Sequence, residues 1–513
     1  MAFDPYSGAA LKRAVLQFLT GKVLSALLTF ITLLWLVRLL PLEAYGAYVT
    51  VLAASEIGLA MANLGLPWLA NRLLPDARLN GSADDVRHIA WLLARRAAWA
   101  SLAVSLAFAL SVPWYARSAG MVAQLGAVWG GVALLFAESW GRFLRDSVLG
   151  PLMLQAEGRA CLVLRQLLLL AGIALGLQGG PPSAALAVGA EALAAAASLL
   201  LALVLLWRRL GQLRMARDDA PSWQPPAVRD QWRWALHMYA AQVVSLAFAP
   251  QLLLNLLQAT AGAGPAAVFG FLRQLYEQVS RYLPATLLFG VIRPRLVAAY
   301  VGAEGLPGLV AGANLAGKLS LFVLGPLLAW VAVGGNTLVS LLSGGKFNEA
   351  GPQLLAFMLA LLPFSQRQLL ETVAATVGHA TSCLRAAWVG LFALPVTALA
   401  LWWGAGTWAA LGGVFLGQAC YGAALLHGLR RAVGYRADTA GGWRVLASAA
   451  LAALFVAWPA QALLGQWSAP AALLPMGGLV LTAYLLLAAW IRPFTASERG
   501  RLNGFLGRRL FVW

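Results

Sequence analysis

The chain has 513 residues, of which 61% are hydrophobic and only 11% are charged, and its net charge is +18. A soluble globule of this length needs a much larger polar share, so the composition excludes one and predicts a protein whose solvent is the lipid bilayer. The apolar runs are about 18 to 25 residues long and do not alternate in polarity, which favours spanning helices over a β-barrel. The predicted fold class is an all-α polytopic membrane protein.

About fourteen apolar stretches are long enough to cross a bilayer. They lie near residues 17–38, 45–66, 97–116, 125–151, 161–178, 184–207, 234–258, 266–290, 316–334, 351–373, 385–404, 407–427, 445–462 and 471–491. A polar, proline-rich segment separates the sixth span from the seventh. The predicted organisation is therefore an N-terminal lobe of six helices (1–207), a cytoplasmic linker (208–233), a C-terminal lobe of six helices (234–428), and a helix pair with a basic cytoplasmic tail (429–513).

Positive charge alternates between the gaps. With the N-terminus inside, the cytoplasmic gaps hold 28 lysines and arginines, the opposite gaps hold 3, and 6 lie within spans, which accounts for all 37. The positive-inside rule then places both termini in the cytoplasm. The cationic residues are expected to face anionic lipid headgroups, so the net charge does not imply nucleic acid as a partner.

The two predicted lobes share a short motif. Pro41-Leu-Glu-Ala-Tyr45-Gly46 follows the first span, and Pro265-Ala-Ala-Val-Phe269-Gly270 follows the seventh, 224 residues later. The same pattern at equivalent spans predicts a parallel internal repeat, an arrangement found in several transporter folds.

Charged residues at membrane depth are costly, so each is a candidate functional residue. In the fourth span, Glu138, Arg142 and Asp146 are spaced four apart and share a helix face, with Arg145 close by. Three interpretations stay open here: a polar stripe facing a water-filled cavity, structural ion pairs between helices, or a span that ends before these charges.

The eighth span carries Arg273, Glu277 and Arg281, again spaced four apart on one face. Glu56 lies near the middle of the second span with no cation nearby in sequence, so it must be protonated or paired with Lys22 or Arg281. Lys22 itself could instead extend to the cytoplasmic headgroups.

Other polar residues in the spans have more ordinary interpretations. Arg367 and Glu371 in the tenth span are expected to pair structurally, and Glu191 in the alanine-rich sixth span has no assigned role. Arg165 is counted with the cytoplasmic cations. The tail from Ser497 to Trp513 alternates arginine with leucine and phenylalanine, which predicts that it lies on the membrane surface.

Two segments near the N-terminus carry a family resemblance: residues 38–48, Arg-Leu-Leu-Pro-Leu-Glu-Ala-Tyr-Gly-Ala-Tyr, and residues 63–72, Asn-Leu-Gly-Leu-Pro-Trp-Leu-Ala-Asn-Arg. They resemble the start of the bacterial polysaccharide transporter family, the O-antigen and exopolysaccharide flippases of the multidrug/oligosaccharidyl-lipid/polysaccharide exporter superfamily. Residues 154–159, Pro284 and residues 344–350 fit the same family as well.

The resemblance implies a MATE-like fold. In that fold two six-helix lobes surround a cavity that is lined by helices 1, 2, 7 and 8 and opens alternately to each side. One departure is that the first span has no acidic residue, whereas the multidrug branch generally relies on cavity carboxylates for cation coupling.

The resemblance implies a bacterial inner-membrane flippase that moves an undecaprenyl-pyrophosphate-linked oligosaccharide, an O-antigen or exopolysaccharide repeat unit, to the external leaflet. Its partners would be that substrate and anionic lipids, with a polysaccharide polymerase and glycosyltransferases as further candidates. Two alternatives stay open: a lipid II flippase of peptidoglycan synthesis, and a membrane glycosyltransferase or polymerase. The second is disfavoured because the predicted external loops are short and the sequence has no Walker, GxSxG or HExxH motif.

Arginine suits a pyrophosphate because its planar guanidinium offers paired donors and keeps its charge. The candidate substrate-binding residues are Arg273, Arg281, Arg142, Arg145 and Lys22, and the candidate acidic or coupling residues are Glu56, Glu277, Glu138 and Asp146. No catalytic residue, cofactor or metal site is expected, since the cysteines and histidines are scattered.

Overall fold

The computed structural model describes residues 25–212, 228–287, 300, 305–466, 469–506 and 511–513. The regular secondary structure of these residues is helical. Eleven helices among the described residues are long and apolar enough to cross a membrane. The predicted all-α, multi-pass membrane architecture is therefore confirmed.

The chain divides into two compact units, Met1–Gly270 and Phe271–Trp513. The first contains α1 (Ser25–Leu39), α2 (Leu42–Ala62), α3 (Leu66–Asn80), α4 (Ala83–Ser118), α5 (Leu125–Arg142), α6 (Gln155–Gly179), α7 (Ala184–Leu210), α8 (Val228–Ser245), α9 (Pro250–Ala261) and the beginning of α10 (Ala263–Tyr282). The second contains the remainder of α10, then α11 (Pro284–Leu287), α12 (Gly305–Ser343), α13 (Gly351–Leu359), α14 (Leu361–Thr376), α15 (Ala380–Gly390), α16 (Ala393–Trp402), α17 (Gly406–Val433), α18 (Thr439–Gln466), α19 (Ala469–Ile491) and α20 (Ala496–Leu506). The predicted lobe and linker boundaries stay a prediction.

Three predicted spans are not among the eleven long apolar helices. The first begins before the described residues, so only α1 is visible, and the eighth is α10, whose three charges lower its hydropathy. The tenth is broken into α13 and α14 at Ala360. Pro363 explains this break, because it has no N–H to donate to the preceding turn and its ring crowds that turn's carbonyl.

The seventh predicted span is also interrupted. Helix α8 tightens into a 3₁₀ turn at Leu246–Phe248, and α9 then begins at Pro250. Ala249 has extended backbone angles, φ −75° and ψ 144°, as expected for a residue that precedes proline.

The glycines of the repeated motif lie where α2 meets the first turns of α10. A Cβ atom on Gly46 would stand 2.6 Å from the carbonyl oxygen of Ala263, and one on Gly270 would overlap the side chain of Val49. Each motif glycine therefore permits the close approach of the helix that carries the other motif, within the first compact unit.

The C-terminal tail packs against α12, and its predicted position on the membrane surface stays a prediction. The ring of Phe322 in α12 lies 5.7 Å from that of Phe511 and 5.6 Å from that of Trp513. Lys318 of α12 is buried and donates to both carboxylate oxygens of Glu498, at 2.9 and 2.8 Å. These contacts fasten the tail to α12.

A second carboxylate strengthens this attachment. The Nζ of Lys318 also lies 2.5 Å from Asp438, which accepts a hydrogen bond from the backbone N–H of Gly441. Partial burial acts to raise the pKa of Asp438, but the hydrogen bonds from Lys318 and Gly441 outweigh it and hold that pKa below its ordinary value. The carboxylate is therefore held in its charged form at neutral pH.

Candidate functional site

Glu138, near the end of α5, is surrounded by arginines. Its Oε1 lies 3.3 Å from Nη2 of Arg142 and accepts a hydrogen bond of 2.9 Å from Nη2 of Arg145. Its Oε2 lies 3.1 Å from Nε of Arg165 in α6. One carboxylate thus forms ion pairs with three guanidinium groups, which stabilises its charge inside the bundle.

The network continues into α7 and α2. Arg165 donates to Oε2 of Glu191 in α7 at 2.7 Å, and the hydroxyl of Tyr48 in α2 donates to Oε1 of the same carboxylate at 3.1 Å. Arg145 also donates from Nη1 to the hydroxyl of Ser198 in α7 at 3.2 Å. The polar groups therefore connect four helices of the first unit. Tyr48 belongs to the segment on which the family resemblance rests.

Only one side of this network is open. The side chain of Arg142 is 45% exposed, whereas that of Arg145 is 2% exposed. Asp146 is exposed as well, and Glu56 of α2 is partly exposed. Arg142 interacts electrostatically with both carboxylates. Among the described residues, Glu56, Arg142 and Asp146 therefore form the exposed polar part of this network, while Arg145 is enclosed.

The local backbone is unusual at this point. Directly after Arg142 the helix changes to a π-helix over Phe143–Leu149, which carries Arg145 and Asp146. Segments of π-helix are uncommon and often occur at functional sites. The fourth predicted span therefore stays helical through its charges and does not end before them.

The second unit contains the three charges of α10. Nη1 of Arg273 lies 3.4 Å from Oε1 of Glu277, and Nη2 of Arg281 lies 3.8 Å from Oε2 of the same carboxylate. The side chain of Arg273 is 2% exposed, and that of Arg281 is 51% exposed. As the i,i+4 spacing predicts, the three side chains share one face of the helix.

The two groups have a common arrangement. In each, a glutamate is paired with one fully buried arginine and with one half-exposed arginine four residues away in sequence. The buried arginine compensates the carboxylate. In α10 the half-exposed Arg281 is then only loosely matched, at 3.8 Å from Glu277, whereas Arg142 also interacts with Asp146 and Glu56. Arg142 and Arg281 are the two members that can offer donors to an anion.

A third polar cluster lies on α14 and α17. Arg367 donates to Oε1 of Glu371 at 2.8 Å and to Oε1 of Gln418 at 3.2 Å, and its guanidinium lies 3.9 Å from the centre of the Tyr421 ring. The structural pair predicted for Arg367 and Glu371 is present. Its extension to α17 could not be predicted from spacing along one helix.

Eight of the nine predicted site residues fall into the first two groups, and Lys22 lies outside the described residues. The structure adds Arg165, Glu191 and Tyr48, which the sequence did not identify as site residues. Arg165 does not lie in a cytoplasmic gap as predicted: it is mostly buried between the two glutamates. The sequence did contain a signal for this pairing. A glutamate in an apolar helix requires a partner, and Arg165 lies four residues inside the predicted fifth span.

Among the described residues, no group of three or more histidine, cysteine, aspartate or glutamate side chains is arranged to hold a metal ion. No protein-family model matches the chain, and no curated protein matches it.

Solved structures do match. An inward-facing multidrug-resistance MATE transporter of the MOP superfamily aligns with a TM-score of 0.58 at 14% identity, covering 81% of this chain and 98% of its own. The lipid II flippase MurJ in an inward closed conformation aligns with a TM-score of 0.56 at 9% identity, covering 96% and 99%. A mutant of the Vibrio cholerae MATE transporter VcmN gives 0.54 at 16% identity, covering 83% and 99%.

These likenesses cover most of the chain at low identity, and they define its fold. The protein is a multi-pass membrane protein whose fold is like that of MATE transporters and of MurJ.

Proposed function

We propose that this protein is a flippase that works by alternating access, without catalysing covalent chemistry, and moves an undecaprenyl-pyrophosphate-linked oligosaccharide across the inner membrane of a bacterium. The substrate would be an O-antigen or exopolysaccharide repeat unit. The transporter fold supports a carrier over an enzyme. The observation that carries the proposal is the half-exposed guanidinium of Arg281, whose charge is only loosely matched by Glu277 at 3.8 Å.

A flippase for such a substrate must bind a pyrophosphate while the polyprenyl chain stays in lipid. A guanidinium supplies paired donors at fixed geometry, which a phosphate oxygen pair accepts. Arg281 is therefore our first headgroup contact and Arg142 our second. Arg273 and Arg145 are buried, and each compensates the negative charge of the glutamate with which it is paired.

The acidic face of the first unit suggests a separate task. Glu56 and Asp146 both interact with Arg142, and both are at least partly exposed. We propose that they are the coupling carboxylates, since protonation or cation binding there would release Arg142 toward an anion. Both chain termini would face the cytoplasm, as the charge asymmetry predicts.

Deletion of the gene in its native host tests the substrate class. We expect surface polysaccharide to be lost while lipid-linked repeat units are still made and accumulate on the cytoplasmic leaflet, where an impermeant glycosidase cannot reach them. Single repeats that reach the surface without being lengthened would indicate a polymerase instead.

A lipid II flippase is the second candidate, because the alignment with MurJ covers 96% of the chain. In that case deletion should stop growth and cause lipid II to accumulate, with surface polysaccharide reduced only secondarily. Liposomes that contain the purified protein and either lipid II or a lipid-linked oligosaccharide separate the two candidates directly.

A further inference from the structure

Both halves of the sequence contain an arginine, a cysteine and a hydroxyl-bearing residue at matching positions. Arg367 follows Arg145 by 222 residues, and Cys383 follows Cys161 by 222 residues. Tyr421 follows Ser198 by 223. These offsets agree, within two residues, with the 224 that separates the two proline-aromatic-glycine motifs. Because the chain has only three cysteines, two at matching positions are unexpected by chance.

In the first unit these three residues meet inside the bundle. Arg145 lies in the π-helical continuation of α5, Cys161 in α6 and Ser198 in α7. Arg145 donates to the hydroxyl of Ser198 at 3.2 Å, and that hydroxyl donates to the carbonyl oxygen of Cys161 at 3.1 Å. The Cys161 side chain is fully buried.

In the second unit the equivalent residues meet as well. Arg367 lies in α14, Cys383 in α15 and Tyr421 in α17. The guanidinium of Arg367 covers the ring of Tyr421 at 3.9 Å, and the Tyr421 hydroxyl lies next to both the Cys383 thiol and the Glu371 carboxylate. Cys383 and Tyr421 are both fully buried.

The two clusters therefore join corresponding helices: the fourth, fifth and sixth spans of one half, and the tenth, eleventh and twelfth of the other. The arginine keeps a glutamate as its counter-ion in both, but from different positions, Glu138 seven residues before Arg145 and Glu371 four residues after Arg367. The contacts differ in detail, since Ser198 bonds to the backbone carbonyl of Cys161 whereas Tyr421 lies against the thiol of Cys383, but in both an arginine reaches a hydroxyl-bearing residue that contacts a buried cysteine.

We infer that the protein contains a duplicated three-helix tie, Arg145–Cys161–Ser198 in the first half and Arg367–Cys383–Tyr421 in the second. Each tie fixes its three helices to one another and stays closed throughout transport. The arginines of the ties bind no substrate. They hold together the helices that position half-exposed residues such as Arg142. This inference does not depend on the identity of the substrate.

The two buried thiols report on the ties directly. In a Cys420→Ala background, the purified protein is treated with N-ethylmaleimide, and alkylation of Cys161 and Cys383 is followed by peptide mass spectrometry. Arg145→Met should accelerate alkylation of Cys161 at least about tenfold and leave Cys383 unchanged, because the tie opens locally. Arg367→Met should do the reverse.

Each variant has a matched control that removes a nearby arginine outside the tie. The control for Arg145→Met is Arg142→Met, one helical turn earlier. The control for Arg367→Met is Arg385→Met, at an exposed position two residues after Cys383. Neither should change the alkylation rate of the adjacent thiol. If an arginine variant fails to accumulate, Ser198→Ala and Tyr421→Phe remove only a hydroxyl and should show the same selectivity with smaller accelerations.

Any of three results overturns the inference. The first is that the thiols of the parent protein react as fast as they do after denaturation. The second is that both thiols respond equally to either arginine variant. The third is that a control variant exposes its thiol as much as the corresponding tie variant does. Alkylation during substrate turnover in liposomes, a test that rests on the proposed transport function, should also leave both thiols protected. Exposure of either thiol under those conditions would overturn the statement that the ties stay closed during transport.

Discussion

The two arginines of α10 should respond differently to alanine substitution. Arg273 is buried against Glu277, so Arg273→Ala leaves that carboxylate without its buried partner. Breaking a buried pair by removing one member costs about 3 to 5 kcal/mol. The Arg281 side chain is 51% exposed and lies 3.8 Å from the carboxylate, and exposed pairs contribute about 0 to 1 kcal/mol. We therefore expect Arg273→Ala to lower thermal stability strongly and Arg281→Ala to leave it nearly unchanged.

Transport should show the opposite ranking. If Arg281 contacts a phosphate oxygen, its loss removes a charge-assisted hydrogen bond worth about 1.5 to 3 kcal/mol, which slows flipping about 10- to 150-fold below saturation. The assay combines a melting curve of the detergent-solubilised protein with a liposome flipping rate at matched protein density. Arg281→Lys should recover only part of the rate, because an ammonium cannot reproduce the paired donors.

Two outcomes would refute this reasoning. Equal destabilisation by both alanine variants would mean that Arg281 is a structural partner of Glu277. Recovery of transport in a Glu277→Ala, Arg281→Ala double variant would mean that the pair only neutralised itself, and the headgroup role of Arg281 would be wrong.

Other parts of the chain carry three more predictions. A cysteine at Asn348, on the exposed connection between α12 and α13, should react with an impermeant thiol reagent in intact cells, and one at Ser497 should not; the reverse pattern would contradict the predicted orientation. Gly46→Val should separate α2 from α10 and impair stability or transport, whereas Gly264→Val, which meets nothing within 4 Å, should be tolerated; equal effects would remove the close approach as the cause. Glu498→Gln should weaken the bond to the buried α12 lysine and make the tail easier to cleave by protease, and unchanged cleavage would show that the carboxylate charge does not hold the tail.

The fold could be predicted largely from the sequence because spanning helices are specified by local properties. A run of about twenty apolar residues must satisfy its own backbone hydrogen bonds in lipid, so each run identifies a helix without knowledge of its neighbours. The same local logic placed Arg273, Glu277 and Arg281 on one face. It did not identify the contact of the tail with α12, because an amphipathic pattern is compatible with a lipid surface and with a hydrophobic protein surface, and Phe322 provides a protein surface.

The site could be predicted only in part, because spacing along one helix says nothing about helix rotation or about partners on other helices. Arg142 and Arg145 differ by three residues in sequence, yet one is half exposed and the other is fully buried. That difference is set by the packing of α6 and α7 against the π-helical segment that carries Arg145. The pairing of Arg165 with Glu191 links residues 26 apart across two helices, for which no short-range pattern exists.

The charges of the two units suggest different tasks for them. In the first, three arginines (142, 145 and 165) face four carboxylates (56, 138, 146 and 191) among the described residues, which leaves the group one negative charge in excess. In α10, two arginines share one carboxylate, and the half-exposed Arg281 lies 3.8 Å from it. If the substrate carries an anionic headgroup, as proposed, Arg281 offers it a half-exposed cation without any prior change. Arg142 is held by Asp146 and Glu56, so an anion should reach it favourably only after a carboxylate is protonated or a cation binds. A dependence of transport on pH or on a cation should accordingly be altered by substitution of Glu56 or Asp146 and be retained, at a lower rate, after substitution of Arg281.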